Sequence, residues 1–256
     1  MIKLDIQQIP VLADNYVYLV HDPETGKCAA IDPAVATPVL EALDRLGWSL
    51  SHVLCTHHHG DHIGGNLDLK RMTGCTIVAA ARDRDRIPGV DTEVHGGDSV
   101  AIGNAKAKVF EVPGHTKGHV AYWFAESDAL FCGDTLFSLG CGRLFEGTPA
   151  QMWASLETLR GLPDETRVFC AHEYTNSNAD FALSIDPDNA DLQARAEDVL
   201  ALRQAGKPTV PSTMGLERAT NPFLRVDCDD LLQAAELEGM GPVLAFAEIR
   251  NRKDNF

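Results

Sequence analysis

The chain has no run of about 18 uninterrupted apolar residues, so nothing in it has the length and polarity of a membrane-spanning helix. Nor does it open on a basic start followed by a continuous apolar stretch. Between Met1 and Val20 short apolar groups alternate with Lys3, Asp5, Pro10 and Asn15, which is not the pattern of a secretory signal. A C-x-x-C pair is also missing. The seven cysteines (Cys28, Cys55, Cys75, Cys132, Cys141, Cys170, Cys228) are odd in number and scattered, several inside apolar runs. That usage fits reduced, mostly buried thiols in a cytosolic protein, and a cytoplasmic location without membrane association is expected. Cys141 lies in a Gly-Cys-Gly loop, but no candidate base stands near it, so the glycines serve a turn rather than flank a nucleophile. Positive charge is scarce. With 22 Lys and Arg against 37 Asp and Glu, the net charge of −15 repels a polyanion over most of the surface. Nucleic acid is therefore not an expected partner, and an anionic small molecule needs a local basic patch. Internal repeats and low-complexity tracts are absent as well.

What is present is enough for one full core and a smaller companion: 256 residues, 45% of them hydrophobic. A monomer is expected. Strand-like runs at 17–20, 28–31, 52–55, 76–80, 106–112, 119–124, 129–132 and 168–171 are separated by turn residues. Helical patterns lie between them at 38–46, 65–72 and 150–159, the last preceded by Thr148-Pro149, a cap followed by proline at the first helical position. The fold class read from this is α/β. After about Tyr174 the strand signal stops, and 190–204, 229–236 and 242–251 read as helices, so the chain divides into residues 1–173 and a helical region, 174–256.

The strand ending at Cys55 leads into Thr56-His57-His58-His59-Gly60-Asp61-His62, which places four histidines and an aspartate within six residues. In an extended loop residues two apart point the same way, so His57 and His59 can grip one metal while His58 faces away. Asp61 and His62 come one step later and can reach a second ion. A His-rich loop standing alone can equally be a solvated surface. This one does not stand alone: His115, Asp134 and His172 each follow or lie beside a strand, and ligands on loops leaving successive strands converge at one edge of a sheet. A carboxylate such as Asp134 can bridge two cations. Then His57, His59 and His115 hold the first ion and Asp61, His62 and His172 the second, with room for a water whose pKa two nearby cations bring toward neutrality. His21, His52 and His95 are ordinary surface or hydrogen-bonding residues on this reading, and His119 supports the site without joining it.

The combination H-x-H-x-D-H followed by a lone His, Asp and His resembles the metallo-β-lactamase superfamily. Asp14-Asn15-Tyr16, Gly133-Asp134-Thr135-Leu136-Phe137 with Gly140-Cys141-Gly142, Ala171-His172-Glu173-Tyr174-Thr175 and Thr220-Asn221-Pro222-Phe223-Leu224-Arg225 resemble, more narrowly, the glyoxalase II family. The resemblance spans essentially the whole chain. It implies a four-layer αββα metallo-β-lactamase sandwich with a C-terminal helical domain, and two divalent metal ions, zinc first, with iron or manganese also accepted by this donor set. It implies hydrolysis of S-D-lactoylglutathione and related 2-hydroxyacylglutathiones to D-lactate and glutathione, the second step of methylglyoxal detoxification, by hydroxide generated at the metal pair, with Asp134 and Asp61 as catalytic residues. It further implies that Arg143, Tyr174, Arg250 and Lys253 hold the glutathione end. Read without it, Arg250-Asn251-Arg252-Lys253 is merely a basic helix end favoured by the dipole. Phe145 stands where some relatives carry a substrate-contacting tyrosine, a loss of one ligand hydrogen bond worth about 1 kcal/mol.

Three rival functions share parts of this pattern. A persulfide dioxygenase uses one iron with two His and one Asp, and the helical tail argues against it. A two-metal nuclease is opposed by the acidic balance. A metal-binding module without catalysis would bind metal and turn over no thioester.

Overall fold

The apolar run Val17–Val20 is at most 2% exposed because both faces of its sheet are covered. The computed structural model describes residues 3–256. The chain packs as two compact units, one running to Glu111 and including Lys117–Gly133, the other made of Val112–Thr116 and Asp134–Phe256.

In the first unit β1 (Asp5–Val11), β2 (Asn15–Asp22), β3 (Lys27–Ile31), α1 (Thr37–Leu46), β4 (Ser49–Leu54), α2 (Gly60–Ile63), α3 (Asn66–Thr73), β5 (Thr76–Ala80) and β6 (Thr92–Val94) build a six-stranded sheet in the order β1-β2-β3-β4-β5-β6. The first three strands pair antiparallel and the last four parallel. Parallel neighbours need crossover connections, supplied by α1 between β3 and β4 and by α3 between β4 and β5. One sheet face, with Val17, Leu19, Cys28, Ala30, Val53, Cys55, Ile77 and Ala79, packs on Val39, Ala42 and Leu43 of α1 and Leu69 of α3. The opposite face meets a second, antiparallel sheet of β7 (Ser99–Ile102), β8 (Ala105–Glu111), β9 (Val120–Phe124) and β10 (Ala129–Gly133). Tyr18 and Phe131 touch across the layers at 5.4 Å, and the Tyr122 hydroxyl donates to the Cys55 carbonyl at 2.9 Å.

Because β3 and β4 run parallel, both end at the same sheet edge. Asp32 leaves one and Thr56–His62 the other. The connection is tight enough to demand glycine: a Cβ on Gly64 would lie 2.5 Å from the Ala34 carbonyl oxygen.

The second unit holds β11 (Leu136–Phe137), β12 (Gly140–Cys141), α4 (Pro149–Arg160), β13 (Arg167–Cys170), α5 (Thr175–Ile185), α6 (Ala190–Gln204), β14 (Ser212–Thr213), α7 (Met214–Thr220), α8 (Asp229–Ala234) and α9 (Pro242–Asp254). Thr148 and Gln151 close a capping box on α4, with Pro149 at its first position. Leu139, Ala179, Ala182 and Leu192 form one buried cluster, and Phe223 stands 6.1 Å from Phe181 and 5.8 Å from Phe246.

Two features depart from the sequence reading. The strand pattern does not stop at Tyr174, since Ser212–Thr213 pairs antiparallel with Arg167–Val168; two residues are too short a run to show a period. A helix at Thr175–Ile185 was not expected, because Asn176, Ser177 and Asn178 are weak helix formers and no side chain caps its start. Burial of Ala179, Phe181, Ala182 and Ile185 holds it in place.

Candidate metal centre and thiol-carrier site

Within the first unit, Asp32 organises the histidine loop. It is 4% exposed and sits in the left-handed region at φ 50°. Its carboxylate accepts from the Thr56 amide and hydroxyl, both at 2.7 Å, and from His62 Nδ1 at 3.1 Å. The Thr56 hydroxyl proton is thereby committed, so Thr56 Oγ1 can only accept from His57 Nδ1, 3.0 Å away. Both imidazoles are fixed as Nδ1–H tautomers with the Nε2 lone pair facing outward, the arrangement a metal ligand needs.

His57 Nε2 meets His59 Nδ1 at 3.0 Å, and His62 Nε2 lies 3.6 Å from Asp61 Oδ2. Asn15, itself buried, donates to the Asp61 carboxylate at 3.0 Å and so aims it. The structure brings His57, His59, Asp61 and His62 together in this unit. His58 turns to Asp83 at 3.3 Å and Arg86 at 3.3 Å. His119 stacks on His57 at 4.6 Å, its Nδ1–H on the Val120 carbonyl at 3.1 Å.

Within the second unit, Asp134 Oδ2 stands 3.5 Å from His115 Nε2 and 3.5 Å from His172 Nε2. His115 Nδ1 donates to the Arg143 carbonyl at 2.9 Å, which fixes the same tautomer as in His57. One carboxylate oxygen equidistant from two imidazole nitrogens can serve an ion on each side.

These distances test whether the residues fit a metal pair. Contacts of 3.5 and 3.6 Å exceed a hydrogen bond. They match the roughly 3.3 Å edge of a tetrahedron whose ligands lie about 2.0–2.1 Å from a central ion. Imidazole nitrogen and carboxylate oxygen are the donors that zinc, iron and manganese accept. The donor set fits.

The residues expected to hold a thiol carrier all lie in the second unit. The Tyr174 ring lies parallel to His172 at 4.7 Å and edge-on to Phe137 at 5.3 Å. Phe145, 64% exposed, meets the His115 ring edge-on at 5.2 Å. Arg143 lies 3.5 Å from Asp254, and Arg250 is buried between Cys141 and Asp254. Lys253 donates to the Ser177 carbonyl at 2.9 Å over the rings of Phe181 and Phe256. Burial first, then the neighbouring Arg250 and Arg143 charges, bring the Lys253 ammonium down to about 8, against an opposing pull from Asp180. Cys141 is buried and its thiol pushed up to about 11 by that burial, so it is no nucleophile at neutral pH.

Sequence reasoning missed Asp32 and the role of Asn15. An acid directly after the apolar run Cys28–Ile31 and before Pro33 is the local signal for the first.

This fold and this donor set define a member of the metallo-β-lactamase superfamily, whose family model matches residues 12–172. Its architecture is the four-layer αββα sandwich with a C-terminal helical domain. Residues 173–256 match the model described as the hydroxyacylglutathione hydrolase C-terminus. The chain belongs to the hydroxyacylglutathione hydrolase family: it is 62% identical to the hydroxyacylglutathione hydrolase of Methylococcus capsulatus, covering 99% of both chains, and 59% identical to that of Rhodospirillum rubrum over 100% of both. Among solved structures, ETHE1 from Myxococcus xanthus is similar at TM-score 0.67 and 26% identity, covering 97% of this chain and 98% of that one. A chain crystallised in a di-iron-bound form is similar at TM-score 0.63 and 25% identity, covering 86% of this chain and 100% of that one. The match of residues 173–256 to the hydroxyacylglutathione hydrolase C-terminus supports that family over the rival readings of the sequence. No helix of the described residues is long and apolar enough to cross a membrane.

Proposed function

We propose that this protein hydrolyses S-D-lactoylglutathione and related 2-hydroxyacylglutathiones to the hydroxyacid and glutathione. The observation that carries the reading is the match of residues 173–256 to the hydroxyacylglutathione hydrolase C-terminus, because the histidine motif alone is common to a superfamily of many reactions. His57, His59 and His115 would hold one divalent ion and Asp61, His62 and His172 the other, with Asp134 available to either. Such a pair supplies Lewis acidity, lowering the pKa of water and drawing charge from a carbonyl oxygen. Zinc suits the set, and the iron of the di-iron relative makes iron an equal candidate.

The chain's own residues do the remaining work. Asp32, Thr56 and the Arg143 carbonyl hold His57, His62 and His115 in the tautomer that presents Nε2. Asn15 keeps the Asp61 carboxylate aimed, and Asp134 accepts the proton of an attacking water or orients it. A thiolate leaves without a strong general acid, so none need be found. Arg143, Tyr174, Arg250 and Lys253 receive the glutathione end, whose two carboxylates supply the partner for a basic patch on an acidic protein. Residues 174–256 contribute that recognition. The protein acts as a cytoplasmic monomer, in keeping with cysteines that are all free thiols.

The test is thioester loss and thiol release from S-D-lactoylglutathione by the purified protein, with metal analysis on the same sample. Turnover lost on chelation and restored by zinc or iron is expected. Oxygen consumption with glutathione persulfide and no thioester cleavage would overturn the reading.

A further inference from the structure

Asp134 and Arg143, whose carboxylate and carbonyl both face the His115 ring, stand at the two ends of one hairpin. Its strands, β11 and β12, are two residues long and pair with no other strand among the described residues. An isolated ribbon of that length does not hold its own shape. Its connection is strained as well. Leu139 is fully buried at φ 59°, a conformation that glycine or asparagine usually supplies and that leucine keeps only where its surroundings impose it.

Side chains of α5, α6 and α7 impose it. Leu139 N donates to Glu217 Oε2 at 3.0 Å, and Asn178 Nδ2 donates to the Ser138 carbonyl at 3.0 Å. Asn221 Nδ2 lies 3.1 Å from the Phe137 carbonyl oxygen, 3.0 Å from that of Gly140 and 3.0 Å from Glu217 Oε2. One amide thus spans both strands at the closing pair of the hairpin. Asn221 and Glu217 are fully buried, and Arg195 pairs with Glu217 while donating to Ser138 Oγ at 2.8 Å. The open end of the hairpin has no slack. Gly142 N donates to the Thr135 carbonyl at 3.3 Å, and a Cβ on Gly142 would collide with the Asp134 carbonyl oxygen. A tilt of the turn is therefore passed to both ends.

We propose that Asn221 and Glu217 are positioning residues of the metal centre: they hold the turn at 137–140, and through the hairpin they keep the Asp134 carboxylate and the Arg143 carbonyl on His115. The motif Thr220-Asn221-Pro222-Phe223-Leu224-Arg225, which the hydrolytic residues leave without a role, then acts on the metal site through its asparagine. The inference rests on the reading of His115 and Asp134 as metal ligands. A purely structural Asn221 would stabilise the helices and leave metal affinity alone, so affinity separates the two.

The test is zinc affinity, measured by competition with a chromophoric chelator, in the wild type, Asn221→Ala, Asn178→Ala and Val199→Ala, with the thermal midpoint of each metal-free protein. Asn221→Ala takes the amide from both strands and is expected to weaken zinc about 10-fold, the lower end of what losing an outer partner of a metal ligand costs. Asn178→Ala removes one hydrogen bond from the same turn. It is expected to weaken zinc in the same direction by less, and it decides the matter if Asn221→Ala does not fold. Val199→Ala opens a cavity beside α6 and removes no hydrogen bond to the hairpin, so its midpoint is expected to fall with affinity unchanged. Unchanged affinity in a folded Asn221→Ala or Asn178→Ala protein, or a loss that Val199→Ala reproduces, overturns the proposal. A wild type that binds no zinc sinks the metal-ligand reading and this one together, whereas a wild type and variants that bind it equally sink this one alone.

Discussion

Replacing Asp32 with asparagine alters one atom of a buried carboxylate without changing the backbone demand, because asparagine accepts the left-handed conformation at φ 50° as readily as aspartate. Asp32 accepts from Thr56 N, Thr56 Oγ1 and His62 Nδ1. An amide keeps one oxygen. If that oxygen stays on the Thr56 amide, the new NH2 group faces the Thr56 hydroxyl and His62 Nδ1–H, donor against donor. His62 escapes by carrying its proton on Nε2, the nitrogen that lies 3.6 Å from Asp61, and so loses the lone pair it presents there. Removing an outer partner of a metal-ligating histidine costs roughly 10–100-fold in metal affinity, or about 1.4–2.7 kcal/mol. Competition with a chromophoric chelator measures this, with circular dichroism and the thermal midpoint as controls on folding. The more weakly held ion is expected to bind 10–100-fold less tightly, with thioesterase activity falling in parallel. Unchanged metal affinity in a folded Asp32→Asn protein would refute the tautomer argument.

Three further outcomes are expected. Asp134→Asn removes an acceptor that faces both His115 and His172 and should abolish turnover and lower metal content, as read by elemental analysis. The Lys253 charge is present below about 8 and lost as pH rises through it, so KM for glutathione thioesters should climb above that pH in the wild type, stay flat in Lys253→Arg, and already be raised at neutral pH in Lys253→Ala. A pH-independent wild-type KM up to the arginine-like limit would contradict this. Glu217 is fully buried and accepts from Leu139 N, Asn221 Nδ2, Ser212 Oγ and Arg195. Glu217→Gln leaves Arg195 without its counter-charge at a cost of about 3–5 kcal/mol, which calorimetry should register as a fall in Tm of roughly 6–20 °C.

The histidine run, Asp134 and His172 were legible in the sequence because each carries its signal locally, a ligand-type residue just past a strand. The central strands were legible for the same reason, as apolar runs bounded by turns. Asp32 and Asn15 were not, because what they do depends on partners 24 and 46 residues away that only the sheet edge brings near. Asp254 carries no local signal either, because its oxygen lies between Arg250 and Arg143 only in the fold. The helix at Thr175–Ile185 was hidden by its own first turn, where local preference opposes what burial imposes.

Arg143 divides its backbone from its side chain. Its carbonyl secures His115 whatever side chain the position bears, while the side chain reaches Asp254. On the proposed reading of Arg143 as a carrier-binding residue, position 143 is therefore a place where selection, natural or in the laboratory, can alter the side chain while the backbone keeps its hold on His115.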